Sequence, residues 1–439
     1  MIADRDERHP GYWPSPWPVE CGGNRRQKAA TGRLDAAERH PHITTRVNGR
    51  WNVMVIERDP GEFFLAGTMA AFVGPAPFGW VERIDAESLE PLASSPELPC
   101  GDHVWCGAVL AHHAGSLFNV NGSYLHRLDP DCTVTGEVKL PADEAHNGLL
   151  ALADGSLITK DLRLAGHGPS TLTRIDPDSL EVMGEPLVLP EGSMGRIAAD
   201  RSPDGEFVYV PGIEHLWRVR VDGERWELDQ DWRPGYRNEG GPNGLAWDTC
   251  LSGGSAWVMD DGDIPGIRAI FDQRPNGRFG DLAPRALSWQ HPAPWTGPQR
   301  LLRVDIASGQ VDSVTPFGTP GGGIIAPPVH VPEHCVTVCW DSINGGLAAV
   351  NDDDLSVRWL LPEVRATMQP VVFPESGELV INDFTGEGDD LIVVDVDTGE
   401  MLSRVETGSR LANGMFLSPG SGGDVFYCST LTVARVHWV

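Results

Sequence analysis

The chain has 439 residues and a formal net charge of −28 at pH 7. An acidic surface of this kind repels phosphate backbones and anionic lipids, which excludes nucleic acid and membrane as partners. Its eight cysteines have irregular spacing without a C-x-x-C pair, and the N-terminal segment lacks the apolar stretch of a signal peptide. Together these features predict a cytoplasmic protein without a disulfide framework.

Residues 1–41 are predicted to form a separate N-terminal arm. Three aromatic residues, Tyr12, Trp13 and Trp17, stand among prolines, and a basic patch follows at residues 25–28. Aromatic side chains bury large apolar surfaces and so act as anchors. We therefore expect the arm to be anchored on a face of the main domain, with a lid over a pocket as the alternative.

After the arm, a hairpin pattern recurs about every 45 residues, a period that is typical of solenoids and propellers. Each copy has a β-prone run, an Asp or Asn at a short turn, and a second β-prone run. Such turn residues cap a tight hairpin and supply its positive φ. The copies lie at residues 83–89, 127–134, 174–180, 218–223, 303–309, 349–352 and 393–399.

A second pattern, Asn-Gly followed by apolar residues, opens the first strand of several units. The cleanest copies begin at Asn147, Asn243 and Asn413. A further short strand follows each, so a unit contains four strands, which is the blade of a β-propeller. The last unit stops after three strands, and the β-prone residues 42–47 are expected to supply its outer strand. The sequence therefore predicts a single all-β propeller domain over residues 42–439, with about eight four-stranded blades, or seven if the first segment is irregular.

The first strand of every blade lies nearest the axis of a propeller, so the residues that open these strands are expected to face one central cavity. Amide groups at such positions can bind a hard cation through oxygen or hold the hydroxyl and carbonyl groups of a substrate. The alternative for each Asn-Gly pair is a turn that requires positive φ. The axial candidates are Asn147, Asn243, Gln369 and Asn413, with Arg196 nearby.

Acidic residues follow the second strand of several blades and are expected at the same end as the axial amides. A divalent cation, Ca²⁺ above all, requires several such oxygen ligands. The predicted metal ligands are Asn147, Asn243, Asp260 and Asp383, with loop-capping aspartates as the alternative. His146, next to Asn147, is the predicted general base and Asp260 the second catalytic residue. The alternative for His146 is a histidine buried in the core.

A long insertion interrupts the fifth blade at about residues 261–299. It is rich in Pro, Gly, Trp and Arg, and loops of this length in a compact domain usually have a function. We expect it to cap the axial cavity and to place Trp289 against a substrate. A contact between subunits is the alternative, and the sequence indicates no particular oligomeric state.

The segments that begin at Asn147, Asn243 and Asn413, the last with Ser418-Pro419, resemble the inner-strand motif of one propeller family. This is the family of gluconolactonase, senescence-marker-protein and strictosidine-synthase-like propellers. The resemblance implies a lactonase whose divalent ion is bound by Asn147 or Asn243 together with Asp260. Members of that family have six blades, fewer than the pattern here indicates.

The hairpin at residues 395–399 also resembles the repeat of quinoprotein propellers with eight blades. The vicinal cysteine pair of those enzymes is absent from the sequence. This second resemblance therefore implies a similar architecture and not quinone chemistry.

These observations favour an enzyme that acts on a small organic molecule in the axial pocket. The expected reaction is hydrolysis of a lactone or ester, or a cyclisation or isomerisation, with a divalent ion or without one. The alternative is a non-catalytic propeller that serves as a scaffold for other proteins. The predicted substrate-binding residues are Asn147, Arg196, Trp289, Gln369 and Asn413.

Overall fold

The computed structural model describes residues 9–69, 77–103, 105–163, 167–223, 225–237, 246–261, 298–319, 322–323, 326–410 and 415–439. Their regular secondary structure is almost entirely β-strand, and the one helical segment among them is a 3₁₀ turn at Glu20–Gly22. The predicted all-β fold is therefore confirmed. Most of the predicted insertion, together with Asn243, Trp289 and Asn413, lies outside the described residues.

The described residues form 31 strands that pair antiparallel with their neighbours, and four consecutive strands make one blade. The strands of blades 1 to 4 are β1 (Pro41–Glu57), β2 (Phe63–Met69), β3 (Phe78–Ile84), β4 (Pro91–Ser94); β5 (Cys106–Ala111), β6 (Leu117–Asn121), β7 (Tyr124–Leu128), β8 (Val134–Lys139); β9 (His146–Ala151), β10 (Leu157–Asp161), β11 (Thr171–Ile175), β12 (Leu187–Val188); and β13 (Ala198–Ser202), β14 (Gly205–Pro211), β15 (Leu216–Asp222), β16 (Arg225–Leu228).

The second half of the chain repeats the same arrangement, from the inner to the outer strand of each blade. The strands of blades 5 to 8 are β17 (Ala246–Ser252), β18 (Ser255–Asp261), β19 (Gln299–Asp305), β20 (Val311–Val314); β21 (Val329–Val331), β22 (Val336–Trp340), β23 (Leu347–Asn351), β24 (Val357–Leu361); β25 (Val371–Phe373), β26 (Glu378–Phe384), β27 (Asp389–Asp395), β28 (Met401–Ser409); and β29 (Leu417–Pro419), β30 (Asp424–Cys428), β31 (Thr430–Trp438) with the first part of β1.

Strand β1 belongs to two blades. Residues 41–47 pair with β31 and complete blade 8, whereas residues 51–57 pair with β2 and are the inner strand of blade 1. Gly49, between the two parts, has a φ of +69°. The described residues form six four-stranded sheets and one seven-stranded sheet, and counting β1 in both of its blades gives eight four-stranded blades. The predicted propeller, with its last blade closed by an N-terminal strand, is confirmed.

The aspartate of the hairpin pattern caps the turn between the third and fourth strands. Asp85 Oδ1 accepts hydrogen bonds from the backbone N–H groups of Glu87 and Ser88, at 3.1 and 2.8 Å. These bonds hold the turn in the absence of a sheet partner. The same bond from the residue three positions later is made at Asp176, Asp305 and Asp395.

The arginine that stands two residues before the hairpin aspartate joins neighbouring blades. Arg127 Nη1 donates to the Asp178 carbonyl in the hairpin of blade 3 at 2.7 Å. Arg174 Nη1 donates to the Gly223 carbonyl in the hairpin of blade 4, also at 2.7 Å. The repeat pattern contains these arginines, but their role depends on contacts between blades that the sequence does not reveal.

Apolar side chains fill the space between neighbouring sheets. Leu150 and Ile158 of blade 3 and Val208 and Val219 of blade 4, for example, are fully buried in one cluster. A propeller thus builds a core between each pair of blades, which lets one domain extend to this length. Within the described residues, no helix has the length and apolar character needed to cross a membrane.

Candidate functional site

Residues 9–40, which we call the strap, lie across the ends of the inner strands. Trp17 is 1% exposed and Tyr12 is 5% exposed, so both aromatic side chains are buried as anchors. Arg26 and Lys28, from the basic patch of the sequence, are fully buried as well. Lys28 Nζ donates to the carbonyl oxygens of Pro327 and Pro328, at the entry to blade 6, at 2.9 and 3.1 Å.

From Trp17 onward the strap contacts the blades in their order around the ring. Its carbonyl oxygens accept hydrogen bonds from backbone N–H groups of the inner strands, at 2.8 to 2.9 Å. The strap therefore closes the end of the central channel at which most of the inner strands finish. The pairs are Trp17 with Glu57 of blade 1, Pro18 with Ala111 of blade 2, Asn24 with Ala199 of blade 4, Arg25 with Leu251 of blade 5, and Lys28 with Val372 of blade 7.

Asn147 opens the inner strand of blade 3 and is 1% exposed. Trp105 Nε1 donates to its Oδ1 at 3.0 Å, and its Nδ2 donates to the Met194 carbonyl at 3.0 Å. Gly148, next in the chain, has a φ of +80°. Asn147 thus lies toward the axis and Gly148 makes the predicted turn, so the axial and the turn interpretations both hold here. Both polar groups of the Asn147 amide are used within the protein.

Arg196 lies just before the inner strand of blade 4, and its charged side chain is 4% exposed. Its Nε lies 3.2 Å from Glu20 Oε2. The guanidinium carbon lies 4.8 Å from the centre of the Phe416 ring and 5.6 Å from that of the Trp105 ring, so the cation is held between two aromatic faces. Among the described residues, its buried Nη2 has no hydrogen-bond partner.

Asp248, in the inner strand of blade 5, gathers the axial polar residues. It is fully buried. Its Oδ1 accepts the backbone N–H of Arg196 at 2.6 Å. Its Oδ2 accepts Arg26 Nη2 at 3.2 Å and Gln369 Nε2 at 3.4 Å. Arg26 Nη1 also donates to Glu20 Oε1 at 2.6 Å. We call Glu20, Arg26, Arg196 and Asp248 the axial ion cluster, which comprises two acids and two bases.

The structure therefore brings two of the predicted substrate-binding residues, Arg196 and Gln369, onto one carboxylate. Gln369 also accepts the Cys21 thiol at its Oε1, at 3.0 Å. Asn147 joins them indirectly, because its partner Trp105 contacts Arg196. Asp248 itself was missed, although a charged residue within an inner strand was a visible signal.

An aromatic and thioether layer surrounds the ion cluster. It belongs to one buried cluster in which the Trp51 and Trp105 rings meet edge to face, with centroids 6.0 Å apart. Arg196 is therefore the cation at the boundary between this apolar layer and the ion cluster. The large side chains of the layer near the axis are Trp51, Trp105, Met194, Trp247, Met415 and Phe416.

His146, the predicted general base, is fully buried on the strand that carries Asn147. Its Nδ1 lies 3.0 Å from the Glu144 carbonyl, whereas its Nε2 has no partner among the described residues. Burial lowers the pKa of His146 to about 4, so the ring is neutral at ordinary pH. Burial also lowers the pKa of nearby Lys160 to about 7; its Nζ donates to the carbonyls of Asp161 and Ser193.

The predicted carboxylate ligands lie in two different blades, and each is paired with an arginine. Asp260 in blade 5 accepts Arg300 Nε at 3.0 Å. Burial raises the pKa of Asp260, which the Arg300 charge opposes. Asp383 in blade 7 accepts Arg404 Nη2 at 2.6 Å. Among the described residues, Asn147, Asp260 and Asp383 share no hydrogen-bond partner, so the structure does not gather them around one point.

One other group of possible ligands lies on blade 4, at Glu191, Glu214 and His215. The Glu191 carboxylate already accepts Trp217 Nε1 at 2.6 Å and the Glu214 backbone N–H at 2.7 Å. Through these bonds Glu191 holds the loop that contains Glu214 in place. The predictions for Asn243, Asn413 and Trp289 concern residues outside the described part of the chain.

No protein-family profile and no curated protein matches this sequence. Solved structures do match. A quinohemoprotein alcohol dehydrogenase from Comamonas testosteroni aligns with a TM-score of 0.63 and 10% identity, over 99% of this chain and 82% of that one. The Dos1 propeller aligns with a TM-score of 0.60 and 11% identity, over 92% and 96% of the two chains. Sqt1 from Saccharomyces cerevisiae aligns with a TM-score of 0.60 and 9% identity, over 90% and 98%.

These similarities show the β-propeller fold alone, because the identities are far too low to transfer a function. They include one named dehydrogenase and two proteins whose names state no reaction. The predicted relationship at the level of architecture is therefore confirmed. Any assignment to the gluconolactonase group stays a hypothesis.

Proposed function

We propose that the chain is a propeller enzyme that binds a small organic molecule at the axis, with Arg196 as its principal polar contact. The observation that carries this proposal is the buried Arg196 guanidinium, which lies between the Trp105 and Phe416 rings and has an Nη2 without a hydrogen-bond partner in the described residues. A buried donor without a partner costs free energy unless a ligand satisfies it. The strap closes one end of the channel, so we expect the ligand to enter from the other end.

The chemistry of this site favours a planar or apolar molecule that carries a carboxylate, ester or lactone oxygen. A guanidinium donates through a fixed fork that suits such oxygens. The rings of Trp105 and Phe416 offer faces for the apolar part of the molecule. Hydrolysis of a lactone or ester, or a cyclisation or isomerisation, is the reaction class that we propose for this ligand.

Under this proposal His146 remains the candidate base. Its Nε2 has no partner in the described part of the chain and is free to accept a proton. Burial lowers its pKa to about 4, however, so it is a weak base near neutral pH. Asp260 is a weaker candidate as a catalytic residue, because its carboxylate is already paired with Arg300.

The predicted Ca²⁺ ligands do not fit a common ion in the described residues. The Asn147 oxygen already accepts the Trp105 N–H, and Asp260 and Asp383 are each neutralised by an arginine. A hard cation requires several free oxygens at one point. We therefore propose a reaction that uses no metal ion. Elemental analysis of the purified protein tests this directly, by measuring whether it contains a bound metal.

The scaffold alternative predicts an exposed apolar patch. The large apolar side chains that are exposed in the described residues are instead distributed over five blades. No observation of the structure therefore favours the scaffold over the axial site. These side chains are Ile43, Val47, Leu92, Val188, Val357, Leu360, Met401 and Val439.

A binding screen tests the proposal. Small organic acids, esters and lactones are tested by thermal shift, and hits are measured by calorimetry on the wild type and on Arg196→Lys. The lysine keeps the positive charge but loses the planar fork, so we expect affinity to fall at least about tenfold. Arg404→Lys, in the partly exposed pair with Asp383, is the matched control and should bind as the wild type. Equal affinity in Arg196→Lys, or no ligand in the whole screen, would refute the proposal.

A further inference from the structure

The strap is fixed to the propeller by backbone hydrogen bonds, by side-chain hydrogen bonds and by ion pairs. The inner strands that it contacts each share one or two backbone hydrogen bonds with it. Among the ion pairs with the blades in the described residues, those of Glu20 and Arg26 are fully buried, whereas the pair of Arg25 with Asp200 is partly exposed. Docking of the strap therefore depends on the axial ion cluster more than on any one backbone contact.

The two ends of the strap differ in how they are held. At its C-terminal end the chain continues into β1, which pairs with β31 along residues 41–47. At the N-terminal side Tyr12 is held by its hydroxyl, which donates to Asn24 and accepts the Ala151 N–H. Gly32, between these ends, has a φ of +83° and no neighbour within 4 Å of a Cβ position. Its N–H makes one exposed bond, to Glu375 Oε1 at 3.1 Å, whereas the backbone N–H groups of Asp35 and Ala36 are held by Glu378 on blade 7. Gly32 is therefore a point at which the chain can turn next to a fixed segment.

We propose that residues 9–31 of the strap undock as a unit about Gly32, while residues 33–40 and the eight blades keep their places, and that undocking separates Glu20 from Arg196. Local opening of a segment below the free energy of global unfolding is a general property of proteins. The consequence for the axial site, a change in how Arg196 is oriented, rests on the proposed function. The opening itself does not.

Cys21 reports this opening in the intact protein. It lies in the strap, is 2% exposed, and touches Arg26 and Gln369. Burial raises the pKa of its thiol to about 11, so it reacts slowly while the strap is docked. Among the other cysteines, Cys335 is exposed, whereas Cys339 and Cys428 are buried on the second strands of blades 6 and 8. We call these two the blade cysteines, and each becomes reactive only when a blade opens.

The experiment measures alkylation of each cysteine by mass spectrometry in the full-length protein without ligand. In the wild type we expect Cys335 to react first, Cys21 next and the two blade cysteines last. Glu20→Gln removes one partner of a buried pair, so Cys21 should react roughly a hundredfold faster. The two blade cysteines should keep their wild-type rates.

Two further variants keep the test decisive. Tyr12→Phe weakens the strap far from the ion cluster and should also speed the reaction of Cys21, by several-fold. Glu82→Gln disrupts a buried carboxylate that pairs with Arg46 and Arg50 outside the strap, and should leave Cys21 unchanged. A common rate for Cys21 and the two blade cysteines, or an unchanged rate of Cys21 in both Glu20→Gln and Tyr12→Phe, would overturn the inference. Because no ligand is present, a failed binding screen leaves this result unaffected.

Discussion

Asp248→Asn removes one charge from the axial ion cluster and keeps the shape of the side chain. Asp248 is fully buried and accepts the Arg196 N–H at 2.6 Å, Arg26 Nη2 at 3.2 Å and Gln369 Nε2 at 3.4 Å. The variant leaves Arg26 and Arg196 facing Glu20 alone, so the cluster acquires a net positive charge. The new amide also turns a donor group toward other donors.

The expected loss follows from the burial of these groups. Removing one partner of a buried pair leaves an uncompensated charge and costs about 3–5 kcal/mol. The whole free energy of unfolding of a domain is only about 5–15 kcal/mol. We therefore expect Asp248→Asn to lower the free energy of unfolding by about 3–5 kcal/mol, a large fraction of the total.

Urea titration followed by tryptophan fluorescence measures the change, since the chain has 15 tryptophans. Asp312→Asn is the control, because Asp312 is 39% exposed and pairs with Arg303 at 2.9 Å. Such a surface pair contributes about 0–1 kcal/mol. The double variant Asp248→Asn with Arg26→Gln restores neutrality and should cost less than the sum of the two single changes. A loss for Asp248→Asn no larger than that of the control would refute the reasoning.

Two further predictions concern the backbone and pH. Gly148→Ala places a side chain at a φ of +80° and should lower the free energy of unfolding by about 1–2 kcal/mol, measured by the same titration; an unchanged value would contradict the turn. Burial raises the pKa of Asp389, which accepts Tyr427 and Asn382, to about 7. Its carboxyl is therefore protonated in the fold but ionised in the unfolded chain between about pH 4 and 7, so stability should fall as pH rises through this window, by up to about 1.4 kcal/mol per pH unit. Asp389→Asn should flatten this slope, and an identical slope in the variant would exclude Asp389 as its source.

The sequence was sufficient for the architecture because a propeller repeats one local pattern. Each hairpin is specified by a nearby aspartate, as at Asp85, and the bonds that it makes lie within three residues. The closing strand was also predictable, because the last unit lacked one strand and residues 42–47 were β-prone. Local rules of this kind transfer directly from the sequence to the fold.

The path of the strap was not predictable in the same way. Its contacts join residues that are far apart in the chain, such as Arg26 with Asp248 and Lys28 with Pro327. Nothing periodic marks such contacts in the sequence. Arg26 and Lys28 therefore resembled a solvated basic patch, although both are fully buried.

The metal prediction and the axial prediction had different outcomes for a physical reason. The residues that open inner strands meet because the symmetry of the ring brings them to the axis, as for Arg196 and Gln369 on Asp248. Asp260 and Asp383 lie one strand farther out, where neighbouring arginines are closer than the axis. Position along the blade, more than residue type, thus decides which polar groups converge.

The axial ion cluster fixes the position of the strap relative to the inner strands. A buried group of two acids and two bases gains little net stability over an apolar core of the same volume, because desolvation offsets the Coulomb attraction. A shift of the strap by one residue, however, would move Glu20 and Arg26 away from Arg196 and Asp248 and toward the apolar layer around Trp105. That misplacement breaks both ion pairs between the strap and the blades, Glu20 with Arg196 and Arg26 with Asp248, which is more costly than the loss of one backbone hydrogen bond. We infer that the cluster selects one position of the strap and thereby one orientation of Arg196.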